Sequence, residues 1–350
     1  MSTTPQQIGA VAIARNEGER LKNCLRSLTG KCATIVYVDS GSTDRSVEFA
    51  KSLGVEVVEL DMSKPFSMAR ARNAGFARLR EILPTMKYVQ FVDGDCELDP
   101  NWLPTGTAWL DSHSETVAVC GRRRERFPEK SIYNQICDIE WNTPVGPAKS
   151  CGGDALMRVA TFAASGGYSE QLIAGEEPEL CLRLRNVGGK IDRIDAEMTR
   201  HDAAILTFAA WWKRTLRGGY GALDVFTRLR GKVPDADVPF HHLTTSAASW
   251  TDRWLILVAI IVAIAVLIAP AGNLAIQAEA VAVGFVIGIG LQFFQAFRIG
   301  LHVRNRTSFG NAMIYGIFTM IGKWAQRAGQ RRYGSDVRAG RVIKIIEYKQ

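Results

Sequence analysis

The sequence lacks several patterns that would assign a function class at once. Its 350 residues include seven cysteines, but no two of them form a CxxC pair, so neither a disulfide framework nor a zinc site is indicated. The phosphate-binding pattern GxxxxGK[ST] is missing, and so is the dinucleotide fingerprint GxGxxG. The N-terminal residues MSTTPQQIGAVAIARNEG do not pair a basic stretch with an apolar one, so we expect no secretory signal.

An excess of positive charge is present, with a formal net charge of +8 and a pI near 9.2. Such a charge fits nucleic acid, an anionic membrane surface or phosphate-bearing substrates. Zinc-finger spacings and RNA-binding aromatic motifs are absent, so no nucleic-acid partner is expected. Many basic residues lie beside apolar segments near the C-terminus, a position that attracts anionic lipid headgroups: Lys323, Arg327, Arg331, Arg332, Arg338, Arg341 and Lys344.

Residues 8–200 alternate short apolar runs with longer amphipathic ones. The apolar runs predict strands at Ile8–Ala14, Thr34–Asp39, Val55–Leu60, Tyr88–Val92 and Val117–Gly121. The amphipathic runs predict helices at Glu17–Leu28, Ser42–Ser52, Ser67–Leu83 and Trp102–Ser112. This alternation indicates a mostly parallel sheet with both faces covered. Ligands of such sheets bind beyond the carboxyl ends of the strands, so the residues that follow each strand are the candidates for function.

The C-terminal part has a different composition, with two apolar segments, Trp254–Ala269 and Ala280–Phe297. Each has close to the ~20 residues that cross a bilayer, and Pro270 ends the first. The connecting AGNLAIQAE has no Lys or Arg, whereas the outer flanks carry Arg253, Arg298, Arg304 and Arg306. This distribution predicts a membrane hairpin with both ends in the cytoplasm. The alternative is a pair of buried core helices.

Four regions are therefore predicted along the chain. A catalytic domain at residues 1–225 precedes a linker or interfacial segment at 226–252, a transmembrane hairpin at 253–300 and an interfacial helix with a basic cytoplasmic tail at 301–350. The apolar stretch Phe309–Trp324 either lies in the interface or enters the bilayer. The expected location is the inner membrane, with the catalytic domain facing the cytoplasm.

Polar motifs follow the predicted strands in a fixed order. They are ARNE at 14–17, DSGSTD at 39–44, ARNAG at 71–75 near a helix N-terminus, and DGD at 93–95. Taken alone, each has a plain structural explanation, since Asp-Gly is a strong hairpin signal and Ser or Thr caps helices. Two carboxylates separated by one glycine can equally turn toward one hard cation such as Mg²⁺ or Mn²⁺.

As an ordered set, these motifs resemble those of the family 2 glycosyltransferases, which have the GT-A fold. The later segments GGDALMR at 152–158 and GEEPELCLRL at 175–184 resemble the acceptor-side and catalytic segments of that family. The resemblance covers roughly residues 8–220. It implies an α/β domain with a Rossmann-like mixed sheet, followed here by the helical membrane hairpin.

The resemblance implies a nucleotide-diphosphate sugar as donor, with uridine the commonest base. By similarity, Asn16, Glu17 and Asp39 would hold the nucleoside, and Arg72 would lie near it or its phosphates. Asp93 would position the nucleoside and its ribose.

A divalent cation, Mn²⁺ or Mg²⁺, is also implied, because negative charge builds on the nucleoside diphosphate as it leaves. By similarity, Asp93 and Asp95 would bind it, with Asp95 the expected direct ligand. In some GT-A enzymes a histidine after the last strand binds the metal or the diphosphate, and His201 has that place; a lone histidine is also often structural.

The expected reaction is a direct displacement that inverts the sugar carbon. Glu177 stands where the family has its catalytic Asp, with Glu176 before it, so the choice of base between the two stays open. Apart from the resemblance, the run of Glu176, Glu177 and Glu179 also suits the first turn of a helix.

The predicted acceptor is saccharide or lipid-linked, used in polysaccharide or glycolipid assembly at an anionic membrane surface. The QxxRW motif of processive synthases is absent, which predicts one sugar per encounter. The alternatives are transfer to polyprenyl phosphate, as in relatives of dolichyl-phosphate mannose synthase, and a non-catalytic nucleotide-sugar-binding scaffold. A nucleotidyltransferase is disfavoured because its glycine-rich basic loop is missing.

Overall fold

The computed structural model describes residues 7–234, 238–268 and 274–341. Within these residues the chain forms two compact units. The first contains residues 7–207 with 238–239, and the second contains residues 208–234 with 240–341. The sequence placed the end of the catalytic domain at residue 225, which falls inside a helix of the second unit.

The first unit alternates strands and helices over most of its length. Its strands are β1 (Ile8–Ala14), β2 (Thr34–Asp39), β3 (Glu56–Glu59), β4 (Tyr88–Asp93), β5 (Cys96–Leu98), β6 (Thr116–Glu125), β7 (Gly146–Pro147), β8 (Ala155–Arg158) and β9 (Lys190–His201). Its helices are α1 (Glu19–Leu28), α2 (Ser46–Ser52), α3 (Met68–Ile82), α4 (Trp102–Ser112), α5 (Ile132–Trp141), α6 (Val159–Ala164) and α7 (Glu176–Asn186).

All these strands belong to one sheet, in the order β3-β2-β1-β4-β8-β6-β9-β5, with β7 paired to β9. The pairs among β3, β2, β1 and β4 are parallel, whereas β8 and β5 run antiparallel to their neighbours. Every residue of β1 is buried, so helices and loops cover both faces of the sheet at its centre. The prediction of an α/β fold with a mixed sheet is confirmed.

The register of the parallel strands brings three motifs together. Ala14 of β1 pairs with Asp39 of β2, and Ile13 of β1 pairs with Asp93 of β4. The ends of β2, β1 and β4 therefore meet at one edge of the sheet. Gly94 lets the chain pass close to β1 as it turns there. A Cβ on this residue would come within 2.5 Å of the Ala14 side chain.

Strand pairings that are distant in sequence explain where prediction and structure differ. The predicted strand Val117–Gly121 is the first part of the longer β6, which continues to Glu125 alongside the second half of β9. The short strands β5 and β7 both pair with β9, so their backbones depend on a segment 45 or more residues later in the chain. Local periodicity does not report such partners.

The second unit is helical and includes two helices long and apolar enough to cross a membrane. Its helices are α8 (Phe208–Leu229), α9 (His241–Ala248), α10 (Trp254–Ile268), α11 (Leu274–Val303) and α12 (Phe309–Arg338), with a π-helical segment at Ser249–Arg253 joining α9 to α10. The span candidates are His241–Ile268 and Leu274–Val303, and only 11% of the most apolar window of each is buried. They contain Ala280–Phe297 and all of Trp254–Ala269 except its last residue, while residues 269–273, including Pro270, lie outside the described residues.

Helix α12 joins two stretches that the sequence treated separately. The apolar Phe309–Trp324 forms its first half, and most of the basic tail residues lie on its second half. Arg327 and Arg331 form ion pairs with Asp252, the latter at 2.8 Å. The tail residues Lys344 and Glu347 lie outside the described part of the chain.

Glycines allow α12 to approach its neighbouring helices closely. A Cβ at Gly329 would overlap the carbonyl oxygen of Leu216 in α8, and one at Gly219 would overlap that of Gln326 in α12. Gly316 meets the backbone of Ala296 in α11 in the same way. Small residues at such crossings let helix backbones pack directly against each other.

We expect Gly329→Ala to destabilise the helical unit by about 1–3 kcal/mol, because the new methyl group has no space against α8. Thermal unfolding of the purified full chain, followed by helical circular dichroism, measures this loss. Gly334→Ala is the matched control, since a Cβ there meets only the end of the Arg338 side chain at 3.6 Å. Equal melting temperatures for the two variants would contradict the close crossing.

Candidate functional site

The carboxylate of Asp39 organises the loop that follows β2. Its Oδ2 accepts hydrogen bonds from the backbone N–H groups of Gly41 and Ser42, at 3.0 and 2.9 Å, and its Oδ1 accepts one from the Tyr37 hydroxyl at 2.6 Å. Gly41 has a φ of +77°, which suits glycine. Burial, together with the bond to Asp39, raises the pKa of the Tyr37 hydroxyl, so that tyrosine remains a hydrogen-bond donor.

The loop after β1 is tied to the loop after β2. Asn16 has a positive φ of +54°; its Oδ1 accepts a 2.7 Å hydrogen bond from Thr43 N–H, and its own N–H donates to Ser42 Oγ at 3.0 Å. Glu17 follows, with an ion pair of 2.7 Å to Arg20. The structure thus brings the predicted residues Asn16, Glu17 and Asp39 to the same edge of the sheet.

Arg72 lies in the interior and pairs with two carboxylates. Its Nη1 donates to Glu176 Oε1 at 2.7 Å and its Nη2 to Asp93 Oδ1 at 2.6 Å, and the residue is only 1% exposed. Burial alone would lower the pKa of this guanidinium, but the two carboxylates outweigh it and raise the pKa. The sequence analysis expects Arg72 near the nucleotide or its phosphates; the structure pairs its side chain with two carboxylates, and the contact with the nucleotide stays a prediction.

Asp154 is a buried carboxylate that the sequence analysis did not select. It is fully buried, and its Oδ1 accepts the backbone N–H of Asp93 at 3.0 Å. Its Oδ2 accepts from the Thr199 hydroxyl at 2.9 Å and pairs with Arg123 at 2.7 Å. Asp154 therefore fixes the backbone at the tip of β4. The only local signal in the sequence is a charged residue that follows two glycines and precedes an apolar run.

Gly153 allows this network to close around Asp93. A Cβ at this position would lie 2.7 Å from Arg72 Nη2 and 2.8 Å from Asp93 Oδ2. Neighbouring Asn73 holds the loop before α7, since it accepts the Tyr168 N–H at 2.9 Å and donates to the Tyr168 carbonyl at 2.9 Å. The ARNAG motif thus supplies an ion-pair centre and a loop anchor.

Asp95 and His201 come together through the pairing of β5 with β9, in which Cys96 lies opposite His201. Asp95 Oδ2 is 2.9 Å from His201 Nε2, and the imidazole stacks on Trp141 with ring centroids 4.5 Å apart. A carboxylate oxygen and an imidazole nitrogen are ligands that a divalent cation such as Mn²⁺ accepts, and here they lie side by side. The ligand atoms of Asp95, Cys96 and His201 lie within 4.8 Å of one another. Asp93 is not a member of this cluster as found among the described residues.

The two glutamates at the start of α7 have different partners. Glu176 pairs with Arg72, as described above. Glu177 Oε1 accepts the backbone N–H of Cys151 at 2.6 Å, the Cys151 thiol at 3.2 Å and the Cys181 thiol at 2.9 Å. Within the described residues, Glu176 is therefore held by a cation and Glu177 by neutral donors.

Comparisons with known proteins were made by sequence and by structure. The family model described as "Glycosyl transferase family 2" matches residues 10–164. The succinoglycan biosynthesis protein ExoA of Rhizobium meliloti (strain 1021) is 31% identical over 174 residues, which cover 47% of this chain and 52% of that protein. The uncharacterized glycosyltransferase YibD of Escherichia coli (strain K12) is 30% identical over 125 residues, 34% of this chain and 35% of that protein. The matches thus span about half or less of these curated relatives.

Among solved structures, a mannosyltransferase of Pyrobaculum calidifontis, PcManGT, in complex with GDP-Man and Mn²⁺ superposes with a TM-score of 0.55. The alignment covers 91% of this chain and 88% of that chain, at 16% sequence identity. Similarity at this level of identity shows a shared fold.

We expect Arg72→Ala to lower the free energy of unfolding by about 3–5 kcal/mol, because it leaves the buried carboxylate of Glu176 and the half-buried carboxylate of Asp93 without a cation. Chemical denaturation of the full chain measures the change. Arg78→Ala on the same helix is the control: Arg78 also bridges two carboxylates, but on the surface, where ion pairs contribute little. Similar midpoints for the two variants would show that burial of the Arg72 pairs is unimportant.

Proposed function

We propose that this chain transfers a sugar from a nucleotide-diphosphate sugar to a hydroxyl group of an acceptor, because residues 10–164 match the family model "Glycosyl transferase family 2". The observation that carries the proposal is the meeting of Asp39, Asp93 and the Asp95–His201 pair at one edge of the sheet. Carboxyl ends of parallel strands are where α/β proteins bind their ligands.

The nucleoside binds at the linked loops after β1 and β2. Asn16, Glu17 and Asp39 hold it, and support comes from the hydrogen bonds that already order both loops. Asp93 positions the ribose, because its carboxylate is oriented by Arg72 and its backbone by Asp154. A uridine nucleotide is the first donor to test; guanosine follows, since PcManGT was solved with GDP-Man.

Asp95 and His201 hold a divalent cation, Mn²⁺ or Mg²⁺, and Asp93 stands next to them at the tip of β4. When bound, the cation stabilises negative charge on the departing nucleoside diphosphate. The stacking of His201 on Trp141 keeps the imidazole oriented toward Asp95, which supports the role.

Glu177 is the general base that removes the proton of the acceptor hydroxyl. Glu176 is committed to the ion pair with Arg72, whereas Glu177 carries its charge among neutral donors and keeps Oε2 for the acceptor. Attack of the activated hydroxyl displaces the nucleoside diphosphate in one step and inverts the sugar carbon. The protein then needs no covalent sugar intermediate.

The acceptor is lipid-linked or saccharide, and the reaction belongs to polysaccharide or glycolipid assembly at the cytoplasmic face of the inner membrane. Support comes from two long apolar helices with exposed Leu, Ile, Val and Phe side chains, flanked by basic residues. The similarity to a succinoglycan biosynthesis protein points to the same process. Product analysis with polyprenyl phosphate and with lipid-linked saccharide separates the two lipid acceptors.

We expect Glu177→Gln to lower transfer by roughly 10²- to 10⁴-fold, because an amide cannot accept the proton of the acceptor hydroxyl. The donor should still bind with its original affinity. Transfer is measured with a panel of nucleotide sugars, and donor binding by thermal shift in Mn²⁺. Glu179→Gln is the control on the same helix turn, since Glu179 pairs only with Arg183. Full turnover by the Glu177 variant would rule out this base.

We expect Asp95→Ala to abolish the part of donor binding that depends on the divalent cation. In the wild-type chain, excess chelator should weaken donor binding and added Mn²⁺ should restore it, whereas the variant should respond to neither. Asp99→Ala serves as the control, because the Asp99 carboxylate accepts the N–H of Asn101 at the start of α4. Identical donor affinity with chelator and with Mn²⁺ in the wild type would refute the metal role.

A further inference from the structure

Two thiols outside the donor site converge on the side chain of Glu177. The Sγ atoms of Cys151 and Cys181 lie 3.5 Å apart, and each is within 3.2 Å of Glu177 Oε1. All three residues are buried, with Glu177 only 6% exposed. Neither thiol is among the proposed donor or metal ligands, and the smaller side chain of alanine would fit each position.

The chemistry of the pair makes both thiols hydrogen-bond donors. The bond with Cys181 and burial raise the pKa of the Cys151 thiol, and burial raises the pKa of the Cys181 thiol to about 11. Protonated thiols are weak, neutral donors, so they orient a carboxylate without neutralising its charge. The Cys151 N–H adds a third donor to the same oxygen at 2.6 Å.

All three donors act on Oε1, and no described residue donates a hydrogen bond to Oε2. One oxygen of the carboxylate is therefore fixed while the other keeps its lone pairs. A general base needs this arrangement, because the accepting atom must be held in place before the acceptor hydroxyl arrives.

The segment at residues 151–154 also contacts the donor side of the site. Cys151 binds Glu177, Gly153 packs against Arg72 and Asp93, and Asp154 accepts the Asp93 N–H. Cys181 approaches from the other direction, one helical turn after Glu177 on α7. The carboxylate is thus held between its own helix and a segment already fixed to β4.

We propose that Cys151 and Cys181 are positioning residues that anchor Oε1 of Glu177 and present Oε2 to the acceptor hydroxyl. The inference rests on the proposed function, since it concerns the base of that reaction. The alternative is a site for a thiophilic cation, because the ligand atoms of Cys151, Glu177 and Cys181 lie within 4.8 Å of one another. In the positioning role the thiols keep their protons and no metal is needed.

Kinetics of Cys181 variants of the full chain test the proposal. Cys181→Ala should lower kcat about 10-fold while the KM for the donor stays within about twofold, because orientation of the base affects only the chemical step. Cys181→Ser, whose hydroxyl can donate the same bond, should recover most of kcat. Cys120→Ala is the control for loss of a buried thiol, since Cys120 is buried on β6 without a hydrogen bond to Glu177.

A second measurement does not depend on turnover. The infrared S–H stretching band of the purified protein should contain a component shifted by hydrogen bonding, lost in Cys181→Ala and retained in Cys120→Ala. An unchanged kcat in Cys181→Ala, failure of Cys181→Ser to recover activity, or stoichiometric zinc whose removal makes the S–H bands of Cys151 and Cys181 appear would each overturn the positioning role. A wild-type chain with the shifted band but no transfer with any donor would instead overturn the proposed function.

Discussion

The buried guanidinium of Arg72 is the constraint on which the rest of the candidate site depends. It joins the tip of β4 to the first turn of α7, two elements separated by more than 80 residues of chain. Without it, the buried carboxylate of Glu176 and the half-buried carboxylate of Asp93 would lose their shared cation and repel each other. Arg72 holds the side chains of Asp93 and Glu176 in place. It thereby also restrains the backbone that carries the neighbouring Asp95 and Glu177.

The parts of this arrangement that could be predicted are those encoded locally. The predicted bounds of β1 and β2 are those of the structure, because uninterrupted apolar runs end there in polar loops. The motifs Asp39, Asp93 and Asp95 could be assigned to one edge of the sheet because parallel strands place their carboxyl ends together. The family resemblance offered His201 as a ligand of the metal or the diphosphate, and the register of β5 with β9 explains why this histidine lies beside Asp95.

The remaining features depend on partners that are far away in sequence. Asp154 looks like a turn residue until Thr199 and Arg123 are seen to surround it. Arg72 near a helix N-terminus suggests a phosphate contact, and only the fold reveals two carboxylates that occupy it. The two thiols at Glu177 come from segments 30 residues apart. Sequence periodicity and spacing do not predict such clusters, because their members form hydrogen bonds and ion pairs with residues far away in the sequence.

The segment at residues 151–154 touches both ends of the proposed reaction within four residues. These four covalently linked residues therefore set the distance between Asp93 and the proposed base Glu177. The sheet holds the segment at one end and α7 holds it at the other. Under the proposed function, a change in any loop outside residues 151–154 would leave the separation of Asp93 and Glu177 unaltered, because both residues are tied to this one short segment.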